Sequence, residues 1–352
     1  MTALLMTATA CGGGDSEEES SDPDARLSIS MAMAAEGTFT AEWFGWAVAD
    51  ELGYYDDLNL DVEFNAAGGS GEAVEQLAAG NVDAANPSMP SVGEGLLSGI
   101  PLVDIFTYSN GAIFGIFAPE DSGIKEVADL DGARIGISEP GGGEVAFLEA
   151  ALRAEDIDPI SDVSLIPIGS GGPETFSAIT EDRVDAYSTA YNDIFALQTA
   201  GLNLADLTPS IFDTFPARGI ITTQEVVDEK PEALRRLARG TAMGIEFCFA
   251  NLEECENIMR KAIPEAFEEN EDGVSQGELR FDLAEQQVKP PNPDRLGEHQ
   301  VESTKDFLDT IASTMENAPE YDLDAFLNED FLDFANDFDR EQVQQDAAEY
   351  TG

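Results

Sequence analysis

The strongest constraint on the fold of this chain is a unit that occurs twice. Ala79-Gly80-Asn81-Val82-Asp83-Ala84-Ala85 and Glu181-Asp182-Arg183-Val184-Asp185-Ala186-Tyr187 share a Val-Asp-Ala core. Each follows a strand, a Gly-rich turn and a helix. In the first series, alternating apolar residues predict strands at Arg26–Ala34 and Leu60–Asn65, a short buried strand at Val82–Ala85 and a fourth at Pro101–Tyr108. Helical spacing predicts helices over Thr40–Leu52, from the Gly68–Gly71 turn through Leu77, and after Asn86-Pro87-Ser88 to Ser98. The second series has strands at Ile113–Ala118, Arg134–Ile137, Val163–Ile168 and Ala186–Ser188. Its helices are a short one over Ile124–Leu130, one opened by Gly141-Gly142-Gly143, and those at Pro173–Ile179 and Asp193–Ala200. Strand–helix alternation in units of roughly 30 residues implies a doubly wound, mostly parallel sheet. Two such series in 352 residues imply an α/β chain of two lobes. After Gly219-Ile220-Ile221-Thr222 the pattern turns helical, over Pro231–Ile263 and Leu296–Met315, with Glu268–Gln276 read as an acidic loop. Tyr321–Tyr350 reads as short amphipathic helices covering one lobe.

Charge narrows the function. Asp and Glu number 71 against 17 Lys and Arg, a net charge of −54 spread along the whole chain. A field this negative repels nucleic acid and anionic lipid headgroups and suits a saline medium that screens it. With 43% hydrophobic residues the chain still has the means to build a core. Three cysteines and one histidine offer no zinc spacing, and neither a GxGxxG after a strand nor a GxxxxGK[ST] occurs. His299 lies in the polar stretch after Pro290, Pro291 and Pro293 and is expected at the surface. No metal or cofactor is expected.

The N-terminus points to export. Leu4-Leu5-Met6-Thr7-Ala8-Thr9-Ala10-Cys11 is an apolar run ending in small residues, followed by Gly12-Gly13-Gly14 and an acidic stretch that reads as a flexible tether. It resembles the lipobox of bacterial lipoproteins, in which the cysteine is lipidated. That resemblance implies an anchor at Cys11 on the outer face of the cytoplasmic membrane. Cys248 and Cys255 lie seven apart, with Asn251 between them. They can form a disulfide if the segment turns at Asn251, or remain two thiols on one helical face.

Several stretches carry a family resemblance. They are Leu52–Glu63, the Gly68–Gly71 turn, Leu77–Asp83, Val127–Gly136 and Ala178–Tyr187. Their order resembles the type II solute-binding proteins of ABC importers, in the branch for nitrate, sulfonates, taurine and thiamine-pyrimidine precursors. The resemblance implies two α/β lobes joined by crossover strands near Ile113–Ala118 and Arg218–Thr222. Residues 1–26 would be a signal remnant and tether, 27–115 plus 220–352 the first lobe, and 116–219 the second. It also implies a small-molecule ligand, permease and ATPase partners, and a monomer. A related branch of the same fold makes the thiamine pyrimidine with a histidine and a Cys-rich iron motif that this chain lacks. A synthase-like enzyme on the same fold and a solute sensor for a signalling partner remain the alternatives.

Ligands in open α/β sheets bind beyond the carboxyl ends of the strands, where glycine turns and helix N-termini present N–H groups. The first lobe then offers Thr38, Phe39, Trp43, Gly69, Ser70, Asn86, Ser88 and Met89. The second offers Glu139, Gly141, Gly142, Gly143, Tyr187, Thr189, Tyr191 and Asn192, and Arg218 lies beside the second crossover. Trp43 and Phe39 have a core alternative, and Arg218 and Glu139 favour opposite ligand charges.

Overall fold

The computed structural model describes residues 25–35, 39–210, 215–269, 275–313 and 319–351. The ten strands are β1 Leu27–Met33, β2 Leu60–Ala66, β3 Ala84–Ala85, β4 Leu102–Asn110, β5 Phe114–Pro119, β6 Arg134–Ile137, β7 Ser164–Pro167, β8 Ala186–Ala190, β9 Leu204–Asp206 and β10 Pro216–Thr223. They form two five-stranded sheets of identical plan, β2-β1-β3-β10-β4 and β7-β6-β8-β5-β9. In the first, β1 pairs in parallel with β2, Leu27 opposite Leu60, and with β3, Met31 opposite Ala84. In the second, β6 pairs in parallel with β7 and β8, Ile135 opposite Ala186. The parallel expectation holds for these strands. By contrast, β10 runs antiparallel to β3 and β4, and β5 antiparallel to β8 and β9. The chain leaves the first sheet after Asn110 and returns to it at Pro216. Each sheet is therefore completed by the strand that follows or precedes a passage between them.

The repeated Val-Asp-Ala has a physical cause. Ser30 donates from its backbone N (2.9 Å) and its Oγ (3.0 Å) to Asp83 Oδ2, and Asp83 N donates to Ser30 O at 3.0 Å. In the second sheet Arg134 N donates to Asp185 Oδ2 at 2.8 Å, and Asp185 N donates to Arg134 O at 2.7 Å. Each aspartate thus ties together two neighbouring parallel strands, β1 and β3 or β6 and β8, just before their first paired residues. Lys230 adds a contact to Asp83 Oδ1 at 2.8 Å, and the Arg134 guanidinium one to Asp185 Oδ1 at 2.7 Å.

The late chain differs most from the sequence reading. Helix Pro231–Ala250 ends at Asn251, whose side chain caps Leu252–Ala262 by accepting from Glu254 N. Cys248 and Cys255 are disulfide-bonded across that turn, with Cα atoms 4.9 Å apart. Of the stretch read as an acidic loop, residues 270–274 lie outside the described residues. Ser275 caps a helix, Gln276–Val288, that the sequence reading lacks, as it lacks β9. Helix Val301–Ser313 falls within the expected Leu296–Met315, and the short helices Leu323–Phe326, Leu332–Ala335 and Arg340–Glu349 follow.

His299 requires a correction. It is buried, 5% exposed, because segments 296–300 and 327–328 cover the outer edge of β4. Thr107 N donates to Gly297 O and Asn328 N to Asp104 O, both at 3.0 Å, so the strand edge is not left open. His299 Nδ1 lies 3.0 Å from Thr107 Oγ1 and 3.8 Å from Asp104 Oδ2. Burial pushes the Asp104 carboxyl up, partly opposed by His299.

Replacing Asp83 by Ala strands the Ser30 N–H and is expected to lower the unfolding free energy by about 1–3 kcal/mol. At Asp185 the Arg134 hydrogen bond holds the carboxyl below its ordinary range. Its contribution is therefore complete near neutral pH. The stability difference between wild type and Asp185→Ala should shrink as the pH falls through about 3.9 and below. Denaturant melts at a series of pH values read both effects, and a pH-independent difference would contradict the second.

Candidate functional site

The carboxyl ends of the parallel strands in the two sheets face one another across a cleft. On one flank the glycine turns meet directly: Gly71 N donates to Gly141 O at 3.2 Å. A Cβ on Gly143 would lie 2.3 Å from Ser88 Oγ and 2.8 Å from the Phe114 ring, so only glycine allows this approach. Gly69, at φ 145°, sits against Glu139 and Gly141. Behind them, one apolar cluster runs through both sheets: Val92, Ile116, Ile135 and Phe147 share it with Phe307 and Ile311 of helix Val301–Ser313. On the other flank, helix Gln276–Val288 packs on the 3-10 turn Ala41–Trp43, on β4 and on helix Tyr191–Thr199. Two late helices thus bracket the cleft.

Between them lies a cavity lined by Glu42, Trp43, Tyr108, Arg218, Asn192 and Arg280, with Ser109, Ile113, Phe114, Ala190, Ala284, Gln287 and Val288 completing the wall. About 30 Å³ of it is open to water centres. That is room for about two waters, so entry of a solute requires the flanks to part.

Four ionisable side chains meet here. Register shifts in the β10–β4 pairing bracket Arg218, and a β-bulge of this kind re-aims its side chain. Arg218 is 9% exposed, donates from Nη1 to Asn86 O at 2.9 Å and lies 5.7 Å from the Trp43 ring centroid. Among the described residues it has no carboxylate within ion-pair distance, and burial lowers its pKa. Arg280, on the late helix, lies 3.6 Å from Glu42 Oε2 and 3.6 Å from Asp193 Oδ1. Burial pulls its guanidinium down, but the two carboxylates more than offset that, so its pKa is raised. Asp193 accepts from Thr189 Oγ1 (2.7 Å) and Asn192 Nδ2 (3.0 Å), and burial pushes its carboxyl up.

Beside the cavity stands a group of polar atoms with nothing to pair with. Among the described residues, Trp43 Nε1, Asn86 Nδ2, Ser88 Oγ and Thr40 Oγ1 are buried without a hydrogen-bond partner. Buried polar groups are normally satisfied, so each marks a place where a partner is due. Two of the four, Asn86 and Ser88, sit just after the end of β3.

The structure places the sequence candidates unevenly. Trp43, Asn192 and Arg218 line the cavity, and Asn86 and Ser88 stand next to Arg218. Gly69, Ser70, Glu139 and Gly141–Gly143 form the closed flank. There Ser70 Oγ accepts from Ser88 N, and Glu144 Oε1 accepts from Ser138 N (2.9 Å) and Glu139 N (3.3 Å). Thr189 supports Asp193 from behind. Four candidates point elsewhere. Phe39 packs edge-on against Phe64, 4.9 Å away, and Met89 is fully buried in the core. The Tyr187 hydroxyl donates to Gly169 O, and the Tyr191 hydroxyl donates to Asp206. Thr38 lies outside the described residues. The sequence reading missed Glu42, Tyr108 and Arg280. Glu42 is one residue from Trp43, so the helix start could have flagged it. Nothing local marks Arg280.

Two five-stranded sheets of this plan around a closed cleft define the periplasmic-binding-protein fold. The chain belongs to the NMT1/THI5-like family, whose pattern matches residues 40–255. A riboflavin-binding protein, RibY, from Chloroflexus aurantiacus is 27% identical over 222 residues, 62% of this chain and 62% of that protein, so the match spans under two thirds of its length. A solved structure from Bordetella bronchiseptica RB50 superposes with a TM-score of 0.69 at 18% identity, covering 88% of this chain and 96% of that one. The alkanesulfonate-binding protein SsuA from Xanthomonas axonopodis pv. citri, bound to MOPS, gives 0.62 at 12% identity, covering 86% and 98%. At these identities the structures establish the fold alone.

Ser88→Ala removes a buried hydroxyl that has no partner. Thermal melts should therefore show stability unchanged or slightly raised, whereas loss of a satisfied buried hydroxyl would cost about 1–3 kcal/mol. A loss of that size would show that Ser88 Oγ is structurally engaged.

Proposed function

We propose that this chain is the substrate-binding component of an ABC importer, capturing a small polar or heteroaromatic solute between two lobes. One observation carries the reading: a cavity between the two sheets, lined from both, beside buried donors without partners. On this reading residues 27–115 plus 220–352 are one lobe and 116–219 the other, although β5 of the second sheet begins at Phe114 and β10 of the first already at Pro216. The kinship with proteins named for binding riboflavin and alkanesulfonates supports the class. The burial of His299 beside Asp104, outside the cavity lining, favours binding over chemistry that relies on this histidine.

The cavity charges narrow the solute. Glu42 and Asp193 are balanced by Arg218 and Arg280. A bare anion or cation would bury one unmatched charge, at a cost of several kcal/mol. A neutral or zwitterionic solute with both donors and acceptors leaves the balance intact and can meet Trp43 Nε1, Asn86 Nδ2 and Ser88 Oγ.

Thermal-shift and calorimetric titrations with riboflavin, pyrimidines, taurine, aliphatic sulfonates and nitrate test this. One-to-one binding is expected, with about 2.7 kcal/mol of stabilisation at a hundredfold excess over Kd. The neutral and zwitterionic compounds should shift the melt more than nitrate does. Folded protein that responds to none of them would overturn the reading.

The same proposal places the protein outside the cytoplasmic membrane, anchored through Cys11. Mass spectrometry of protein recovered from membranes of an expressing bacterium should find a diacylglyceryl adduct on Cys11. An unmodified Cys11 would remove the anchor.

A further inference from the structure

Helix Gln276–Val288 is the one wall of the cavity that belongs to neither sheet, yet it touches elements of both. Its Arg280 side chain is 27% exposed and reaches two carboxylates that sit on opposite sides of the cleft. Glu42 is in the turn after β1, on the first-sheet side. Asp193 is in the helix after β8, on the second-sheet side, 4% exposed and fixed by Thr189 and Asn192. Closing the cleft brings these two like charges toward one another, and Glu42 raises the cost of ionising Asp193. A guanidinium between them turns that repulsion into two attractions, and its planar fork can serve both at once.

We propose that Arg280 is a latch that stabilises the closed cleft by joining Glu42 of one lobe to Asp193 of the other. The inference rests on the two-lobe reading above. In a closed cleft with room for about two waters, a solute must part the flanks, and so must release at least one of these contacts. The latch sets how often the empty protein opens, and hence how fast solute enters, separately from the donors around Arg218 that hold the solute afterwards.

The test uses the whole chain without solute. Small-angle scattering reads the radius of gyration, and acrylamide quenching reads the accessibility of the two tryptophans, of which Trp43 lines the cavity. Arg280→Gln should enlarge the radius and increase quenching relative to wild type, and Arg280→Lys should fall between them. Glu42→Gln breaks the same bridge from its other end, so it tests the latch should Arg280→Gln fail to fold. A folded variant of either kind with wild-type radius and quenching would overturn the latch. Stopped-flow mixing with whichever probe binds among riboflavin, taurine and the pyrimidines should give faster association for Arg280→Gln. If these solutes bind wild type but the variant's radius is unchanged, the latch fails and the binding reading survives. If the variant opens but no solute binds either protein, the latch stands and the binding reading fails.

Discussion

The structure depends most on where β5 and β10 are inserted. Each runs antiparallel between the third and fourth strands of a sheet, next to the passage that links the sheets. Because β10 pairs along its length with β4, the chain that leaves the first sheet after Asn110 and the chain that returns at Pro216 are held side by side. The two sheets are thus joined by adjacent strands rather than by a loose linker, which is the geometry of a hinge. The same strand carries the site. Its irregular register brackets Arg218, and the bulge turns an interior strand position into a cavity position beside Asn86 and Trp43.

Around that hinge, the late chain acts as a clamp. Helix Val301–Ser313 buries Phe307 and Ile311 into the apolar cluster shared by both sheets. Helix Gln276–Val288 brings a cation to the opposite flank. With only 17 Lys and Arg against 71 acids, each buried guanidinium is a scarce resource, and two of them line one cavity. The acidic excess lies largely on the surface and screens itself in salt. The cleft is instead nearly neutral, which separates the requirements of solubility from those of recognition.

The sequence was most legible where local pattern and long-range pairing agree. The two Val-Asp-Ala segments mark equivalent places because Asp83 and Asp185 each tie together two neighbouring parallel strands. The Cys248–Cys255 bridge was one of two readings the sequence left open, and it forms because the chain turns at Asn251, whose side chain accepts from Glu254 N. His299 was misread because its neighbours are polar, and only the covering of the β4 edge buries it. Phe39, Met89, Tyr187 and Tyr191 sit near the right strand ends but face other ways, since a strand end fixes a position and not the direction of a side chain. Arg280 was out of reach altogether. It lies 87 residues from Asp193 and 238 from Glu42, and no period within its own helix announces that those two acids would meet it.

A cleft that closes on buried acids from both sides is not stable by default. Taking a carboxylate from water costs several kcal/mol after relaxation, and two of them facing one another cost more than twice one. Burial already raises the Asp193 carboxyl, and Glu42 raises it further. A counter-charge in the gap relieves that repulsion while both carboxylates stay ionised. Arg218 is committed to Asn86 O and the Trp43 face on the other wall, which leaves Arg280. Because Arg280 arrives on an element outside both sheets, closure and the presence of its counter-charge are separable events. The fold thereby makes the position of one late helix a variable that the binding equilibrium can act on.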